Sequence, residues 1–251
     1  DIEGDERFAL RVKDIETGEV IDDAVTEIGY GAVWSLDGQH LFYTRLDESW
    51  RPHQVWRHEI GTPTEGDSLV FEEPDERFWM GIGSSRDDAW VIIQVGSKLT
   101  SEVLLLDAST PLAEPTVVAP RREGVEYDVE PMGEELLVVH NRRRPNFEVA
   151  RATISSAGVG EWQPLDLTTA EEYVTGVDSF TDVIVVSLRA GGQTSVRVVP
   201  RDPAAPSGLG APFDIAFAEP VRSVGVGDNP DPNTDVLQVV YCSLVTPQTI
   251  Y

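Results

Sequence analysis

One period, read in two independent registers, constrains what this chain can fold into more than any other feature. Runs that precede a turn rich in Gly, Thr, Ser, Asp or Pro (ALRVKDIETG, QVWRHEIGT, EVLLLDAST, EVARATISS and SVRVVPRDP) align Leu10, Val55, Val103, Val149 and Val196, at spacings of 45, 48, 46 and 47 residues. The strand before each carries a second register through Leu41, Val91, Leu137, Ile184 and Leu237, at spacings of 50, 46, 47 and 53. Helical periodicity is scarce, whereas short runs of β-branched and aromatic residues recur, among them Trp90–Val95, Leu136–His140 and Val183–Leu188. Turn clusters such as Asp37-Gly38, Gly191-Gly192 and Asp202-Pro203 separate them. A repeat of this length holding four strands is a β-propeller blade, since solenoid repeats of similar length are helical. The fold class is therefore all-β, a β-propeller.

Four complete blades are expected at roughly residues 30–73, 78–121, 126–167 and 173–220, with partial blades at 1–25 and 221–251. The N-terminal piece supplies two outer strands, Arg7–Lys13 and Glu19–Val25. The C-terminal piece supplies two inner strands, Val221–Val226 and Val236–Ser243, and the start of a third. These halves are complementary, so residues 7–25 and 236–251 are expected to pair in one blade that closes five. With a start at Asp1 without Met and an end inside a strand-like run, the chain is expected to be a fragment, a single partial propeller domain.

Charge narrows the partners. The 251 residues hold 44 Asp and Glu against 19 Lys and Arg, a formal net charge of −25. Such a chain repels phosphate backbones and attracts cations, which excludes nucleic acid and favours a cationic partner. The basic residues are Lys13, Lys98 and otherwise Arg, a bias that suits a GC-rich genome or a high-salt cytoplasm. One cysteine, Cys242, cannot form an internal disulfide, and a cytoplasmic location is expected. No run of about 18 apolar residues is present, so no membrane partner is expected.

The segment Ala32–Tyr43 resembles the Trp-Ser-Pro-Asp-Gly strand-turn-strand of the propellers attached to serine oligopeptidases, with a weaker copy at Ser85-Arg-Asp87. Its role is architectural: Ser35 and Asp37 bond turn amides, Gly38 takes a positive φ, and Trp34 and Leu41 are expected in the interblade core. The resemblance sharpens over GDERFALRVKDIETGE (4–19), FYTRLDESWRPHQVWRHEIGT (42–62), VFEEPDERFWMGIGSSRDD (70–88) and YCSLVTPQTIY (241–251). These are similar to successive pieces of the oligopeptidase B propeller, within the prolyl oligopeptidase family. The resemblance implies a two-domain serine peptidase that cuts short peptides after Arg or Lys. Its α/β-hydrolase domain carries the catalytic triad, and a seven-bladed propeller gates access for substrate. The partner implied for this chain is that catalytic domain, absent from the sequence.

The chemistry of a hydrolase is likewise not encoded here. The chain has no Gly-x-Ser-x-Gly elbow, the strained turn that exposes the nucleophile. His40, His53, His58 and His140 fall on strands or turns rather than beside a nucleophile, so no catalytic residue is assigned. The run Asp228–Asp235 alternates oxygen ligands as a calcium loop does, but lacks the mid-loop Gly and terminal Glu and reads as a solvated turn. No metal or cofactor is assigned. Two charged features are candidates for contact with the catalytic domain or for steering of substrate. Glu72, Glu73 and Arg77 sit at a blade crossing, and Arg142, Arg143 and Arg144 form the one basic run. A self-standing propeller serving as an interaction scaffold is the alternative, and exposed strand edges invite a dimer.

Overall fold

The computed structural model describes residues 2, 4–156 and 162–251. Residues 157–161 of the expected third blade lie outside the described residues. The chain divides into two compact units, residues 1–124 and 125–251. In both, the secondary structure is antiparallel β with two single 3-10 turns, Thr64–Gly66 and Ile154–Ser156. No helix among the described residues is long and apolar enough to cross a membrane.

The first unit opens with a two-stranded sheet, β1 (Val12–Lys13) and β2 (Val20–Asp22). A four-stranded blade follows, β3 (Ile28–Trp34), β4 (His40–Leu46), β5 (Pro52–Glu59) and β6 (Ser68–Glu72), its strands paired in sequence order. The next blade is β7 (Trp79–Ser84), β8 (Trp90–Gly96), β9 (Ser101–Asp107) and β10 (Thr116–Val117). The second unit repeats the plan with β11 (Tyr127–Met132), β12 (Glu135–His140), β13 (Glu148–Thr153) and β14 (Gln163–Pro164). A fourth blade holds β15 (Tyr173–Ser179), β16 (Val183–Ala190), β17 (Gln193–Pro200) and β18 (Phe213–Asp214). A three-stranded sheet of β19 (Arg222–Val226), β20 (Val239–Ser243) and β21 (Thr249–Ile250) ends the chain.

The two registers mark the two middle strands of each blade. Leu41, Val91, Leu137 and Ile184 lie on β4, β8, β12 and β16, and Val55, Val103, Val149 and Val196 on β5, β9, β13 and β17, all at 2% exposure or less. These strands are apolar on consecutive residues because both of their faces are covered. On β4, Phe42 turns toward the second blade, where it packs with Val91, Ile93 and Leu104. Its neighbour Tyr43 turns the other way and meets Val25, Ile28 and Leu10 of the N-terminal segment. In the second unit, Leu137 and Val149 of one blade pack with Ile184 and Val186 of the next. Val185 and Val196 pack in turn with Val224 and Tyr241.

Several sequence expectations are corrected. The end pieces lie in a two-stranded sheet, β1 and β2, of the first unit and a three-stranded sheet, β19 to β21, of the second. The outer N-terminal strands are also shorter than the apolar pattern suggested: Phe8 makes an isolated bridge to Ile28, and pairing is confined to β1 and β2. Leu237 precedes β20 instead of lying on it. Finally, Trp34 is 46% exposed, because strand alternation sends Val33 into the core and its neighbour to the opposite face.

The Ser-x-Asp turns work as the motif implied. Ser35 Oγ donates to Asp37 Oδ1 at 2.6 Å and accepts from the His40 amide at 2.9 Å, while Gly38 adopts φ 67°. The second copy repeats these bonds with Ser85, Asp87 and the Trp90 amide. An alanine Cβ at Gly38 would meet nothing within 4 Å, so its cost is conformational only. Gly38→Ala should therefore lower stability by about 1 kcal/mol. Phe42→Ala, which opens a void between two blades, should lower it by about 3–5 kcal/mol. Chemical denaturation of both variants measures the contrast.

Candidate functional site

Antiparallel order fixes where loops emerge. In a blade whose strands pair in sequence order, the loop joining its second and third strands leaves the same sheet end as the crossing to the next blade. Glu72, Glu73 and Arg77 lie at the crossing from β6 to β7, and Arg142, Arg143 and Arg144 lie in the β12–β13 loop. Each group thus occupies the crossing end of its own blade.

The first crossing is built around two arginines. Arg51, 5% exposed, holds Asp47 Oδ2 at 2.9 Å through Nε and donates Nη1 to the carbonyls of Glu73, Asp75 and Phe78 at 2.9–3.2 Å. Arg121 Nη2 binds Glu73, its Nε and Nη2 each meet Glu102 Oε2 at 3.1 Å, and its guanidinium covers the Phe78 ring at 4.1 Å. Glu73 is only 2% exposed and also accepts the Asp75 amide. It is an internal brace of the crossing, not an outward-facing carboxylate. Glu72 is exposed and takes a hydrogen bond from Gln54 at 2.9 Å. Arg77, with 80% of its side chain exposed, forks onto Asp75 at 2.6–3.1 Å. That pairing draws the Asp75 carboxyl down to about 2. Beside this crossing lies a cavity of about 540 Å³ lined by Arg77, Phe78, Lys98, Leu99 and Glu123, among others.

The basic run is tied less tightly. Arg143 and Arg144 approach the buried Glu148 at 3.6 and 3.7 Å, ion-pair distances without hydrogen-bond geometry. Arg144 also donates to the Thr168 carbonyl at 3.0 Å, while 56% of the Arg143 side chain is exposed. Beneath them His140 is buried against Trp162. Burial, then Arg142 and Arg143, push its pKa to about 4, so the ring is neutral at pH 7. The loops ahead of β5 and β13 share one geometry. Trp50 and Phe147 take φ 65° and 63°, and each lies within the span of an i,i+4 ion pair of opposite sense, Asp47 with Arg51 and Arg144 with Glu148. Farther along, Asn229 bonds Gly227 and Gln238, so its loop is braced internally as a turn.

One buried constellation was not legible as a site. His58, fully buried on β5, places Nδ1 2.7 Å from Asp67 Oδ1 and Nε2 2.9 Å from Asp22 Oδ2. Two carboxylate partners require both ring nitrogens to donate, so the ring is an imidazolium. Asp22 also accepts the Gly61 and Ala24 amides, and Asp67 accepts the Tyr43 hydroxyl at 2.7 Å. Arg45 Nη2 donates to that hydroxyl at 3.2 Å. Burial opposes charge on His58, but the two carboxylates outweigh it and hold its pKa above the ordinary value. Burial likewise opposes charge on Asp22, and the His58 and amide hydrogen bonds outweigh it and lower its pKa. The partners are 36 and 9 residues from His58 in sequence, a separation no local pattern displays.

Comparison with known proteins places this architecture. The family model described as the N-terminal β-propeller domain of prolyl oligopeptidase matches residues 1–251. A dipeptidyl aminopeptidase BI of Pseudoxanthomonas mexicana is 35% identical across the whole chain, which covers 34% of that protein. Protease 2 of Moraxella lacunata is 32% identical over 99% of the chain and 35% of its own length. The chain thus spans about a third of the curated relatives it matches. Among solved structures, oligopeptidase B of Leishmania major superimposes on 98% of this chain and 35% of its own at a TM-score of 0.88 and 24% identity. The closed form of oligopeptidase B from Trypanosoma brucei with covalently bound antipain matches 90% of this chain and 33% of its own at TM-score 0.81 and 30% identity.

The buried imidazolium gives a pH window. His58 is held above 6.5, so its contribution is full below that pH and is lost as pH rises through the folded value. Asp22 is held below 3.8, so its contribution is full above that pH and is lost as pH falls through the folded value. Stability measured by denaturation should carry this contribution between about pH 4 and pH 6.5 and lose it on either side. His58→Gln should cost about 3–5 kcal/mol near pH 6, because two buried carboxylates lose their cation.

Proposed function

This chain belongs to the N-terminal β-propeller domain family of the prolyl oligopeptidases, and on that premise we propose that it is the non-catalytic gating lid of a cytoplasmic serine-type oligopeptidase that cuts short peptides after Arg or Lys. The observation that carries the reading is the build of the crossing ends. In the first unit Arg51 and Arg121 brace the crossing from within while Arg77 and Glu72 stand outward, and in the second unit Arg142 and Arg143 stand outward on the β12–β13 loop. At the crossing end of the first unit, exposed Arg77 together with Trp50 and Trp79 has the composition of a protein interface. The partner proposed for it is the α/β-hydrolase catalytic domain. The loose pairs of Arg143 and Arg144 with Glu148 leave guanidinium donors for carboxylates of that domain.

Gating and steering divide between shape and charge. The lid excludes folded chains by size, while the net charge of −25 raises the local concentration of cationic peptides. In the whole enzyme, kcat/KM for Arg- and Lys-containing peptides should fall severalfold at about 1 M salt, where screening shortens to roughly 3 Å, and stay level for neutral ester substrates. Equal salt response for both would remove the steering. Replacing Arg142, Arg143 and Arg144 together by Ser should loosen the contact with the catalytic domain and lower kcat/KM about tenfold. Retention of full rate and of the size limit would show that the basic run faces solvent.

A further inference from the structure

A second cavity lies away from the crossing end. It opens between β3 and β7 beside their turns to β4 and β8, with a volume of about 540 Å³. Val33, Trp34 and Leu36 form one wall, and Ile82, Gly83 and Asp88 the other. Trp34 and Leu36 are 46% and 60% exposed, unusual for large apolar side chains beside the innermost strands of a blade. At Gly83 a Cβ would meet nothing within 4 Å, so the floor of the cleft is open.

Asp88 is the informative residue. It occupies the position that Gly38 holds in the first blade, and it takes the same left-handed backbone, φ 56° against 67°. Asp87 already closes the turn, accepting from Ser85 Oγ at 2.6 Å and from the Ala89 amide at 3.2 Å. The Asp88 carboxylate is exposed and makes no hydrogen bond or ion pair among the described residues. A side chain in a conformation that glycine would adopt freely thus contributes nothing to its own turn, yet it lines a cavity that also holds a tryptophan.

An indole and a carboxylate in one cleft are chemistry for a cation. A planar guanidinium stacks on the ring and pairs with the carboxylate, while its methylene stem covers apolar wall atoms such as those of Leu36 and Ile82. The strongly negative chain adds long-range attraction of the same sign. We propose that the Trp34–Asp88 cleft binds an arginine side chain of a peptide at the blade end opposite the crossings. This deepens the function proposed above, and rests on it only for the source of the peptide.

The experiment separates the two readings. The whole enzyme is first treated with a covalent serine-directed inhibitor, so that any catalytic pocket is filled. It is then titrated with a blocked tripeptide carrying Arg, and with the same peptide carrying citrulline, a neutral isostere. Indole emission and calorimetry should report the Arg peptide binding about tenfold more tightly than the citrulline one. Asp88→Gly suits the turn's backbone and removes only the carboxylate, and it should weaken the Arg peptide about tenfold. Trp34→Leu should do the same and abolish the emission change. Equal binding of the two peptides, or an unchanged affinity in Asp88→Gly, overturns the proposal whether or not the enzyme cleaves after Arg.

Discussion

A four-stranded sheet with two apolar middle strands cannot bury both of its faces alone, and the rest of the molecule follows from that constraint. Phe42 and Tyr43 are adjacent on β4 and both wholly buried, one against the next blade and the other against the N-terminal segment. Every blade in either unit needs such neighbours, which is why the apolar pattern is continuous along the middle strands and why the blades come in series. The loops are then free of the core's demands and gather at the two ends of each sheet, where charge and aromatic residues can be set for other purposes.

Burying charge is the second organising device. The Asp22–His58–Asp67 group and the Arg51 and Arg121 braces use ionic hydrogen bonds where a short segment offers too little apolar surface to hold itself. Such groups contribute modest net stability, but their geometry is exacting, since removal of one partner leaves another charge buried without compensation. They fasten the segments that the ladder hydrogen bonds do not: residues around Asp22, and the crossing at residues 73–78.

Much of this was legible in the sequence. The period appeared because Val55, Val103, Val149 and Val196 occupy one structural position, buried on the third strand of each blade. The Ser-x-Asp turn was legible because its bonds are local, spanning two to five residues. The exposure of Trp34 was not, since an indole reads as core until strand alternation is seen to place Val33 there instead. Glu73 read as a surface carboxylate, and only its distant partner Arg121 explains its burial. Nor was the imidazolium, whose partners come from β2 and from the connection between β5 and β6. The strand ends near β1 and β2 were overestimated because their alternating pattern is that of a sheet, while the pairing there is partial.

Side-chain footprinting of the whole protein with hydroxyl radicals tests most directly the proposal that a catalytic domain meets the crossing end of the blades. Trp50, Trp79 and Leu99 stand exposed at the crossing end of the first unit, Trp34 and Leu36 at the opposite end. The account predicts that the first three are protected from oxidation in the whole protein while Trp34 and Leu36 are modified. Protection of Trp34 and Leu36 with free oxidation of Trp50, Trp79 and Leu99 would contradict it.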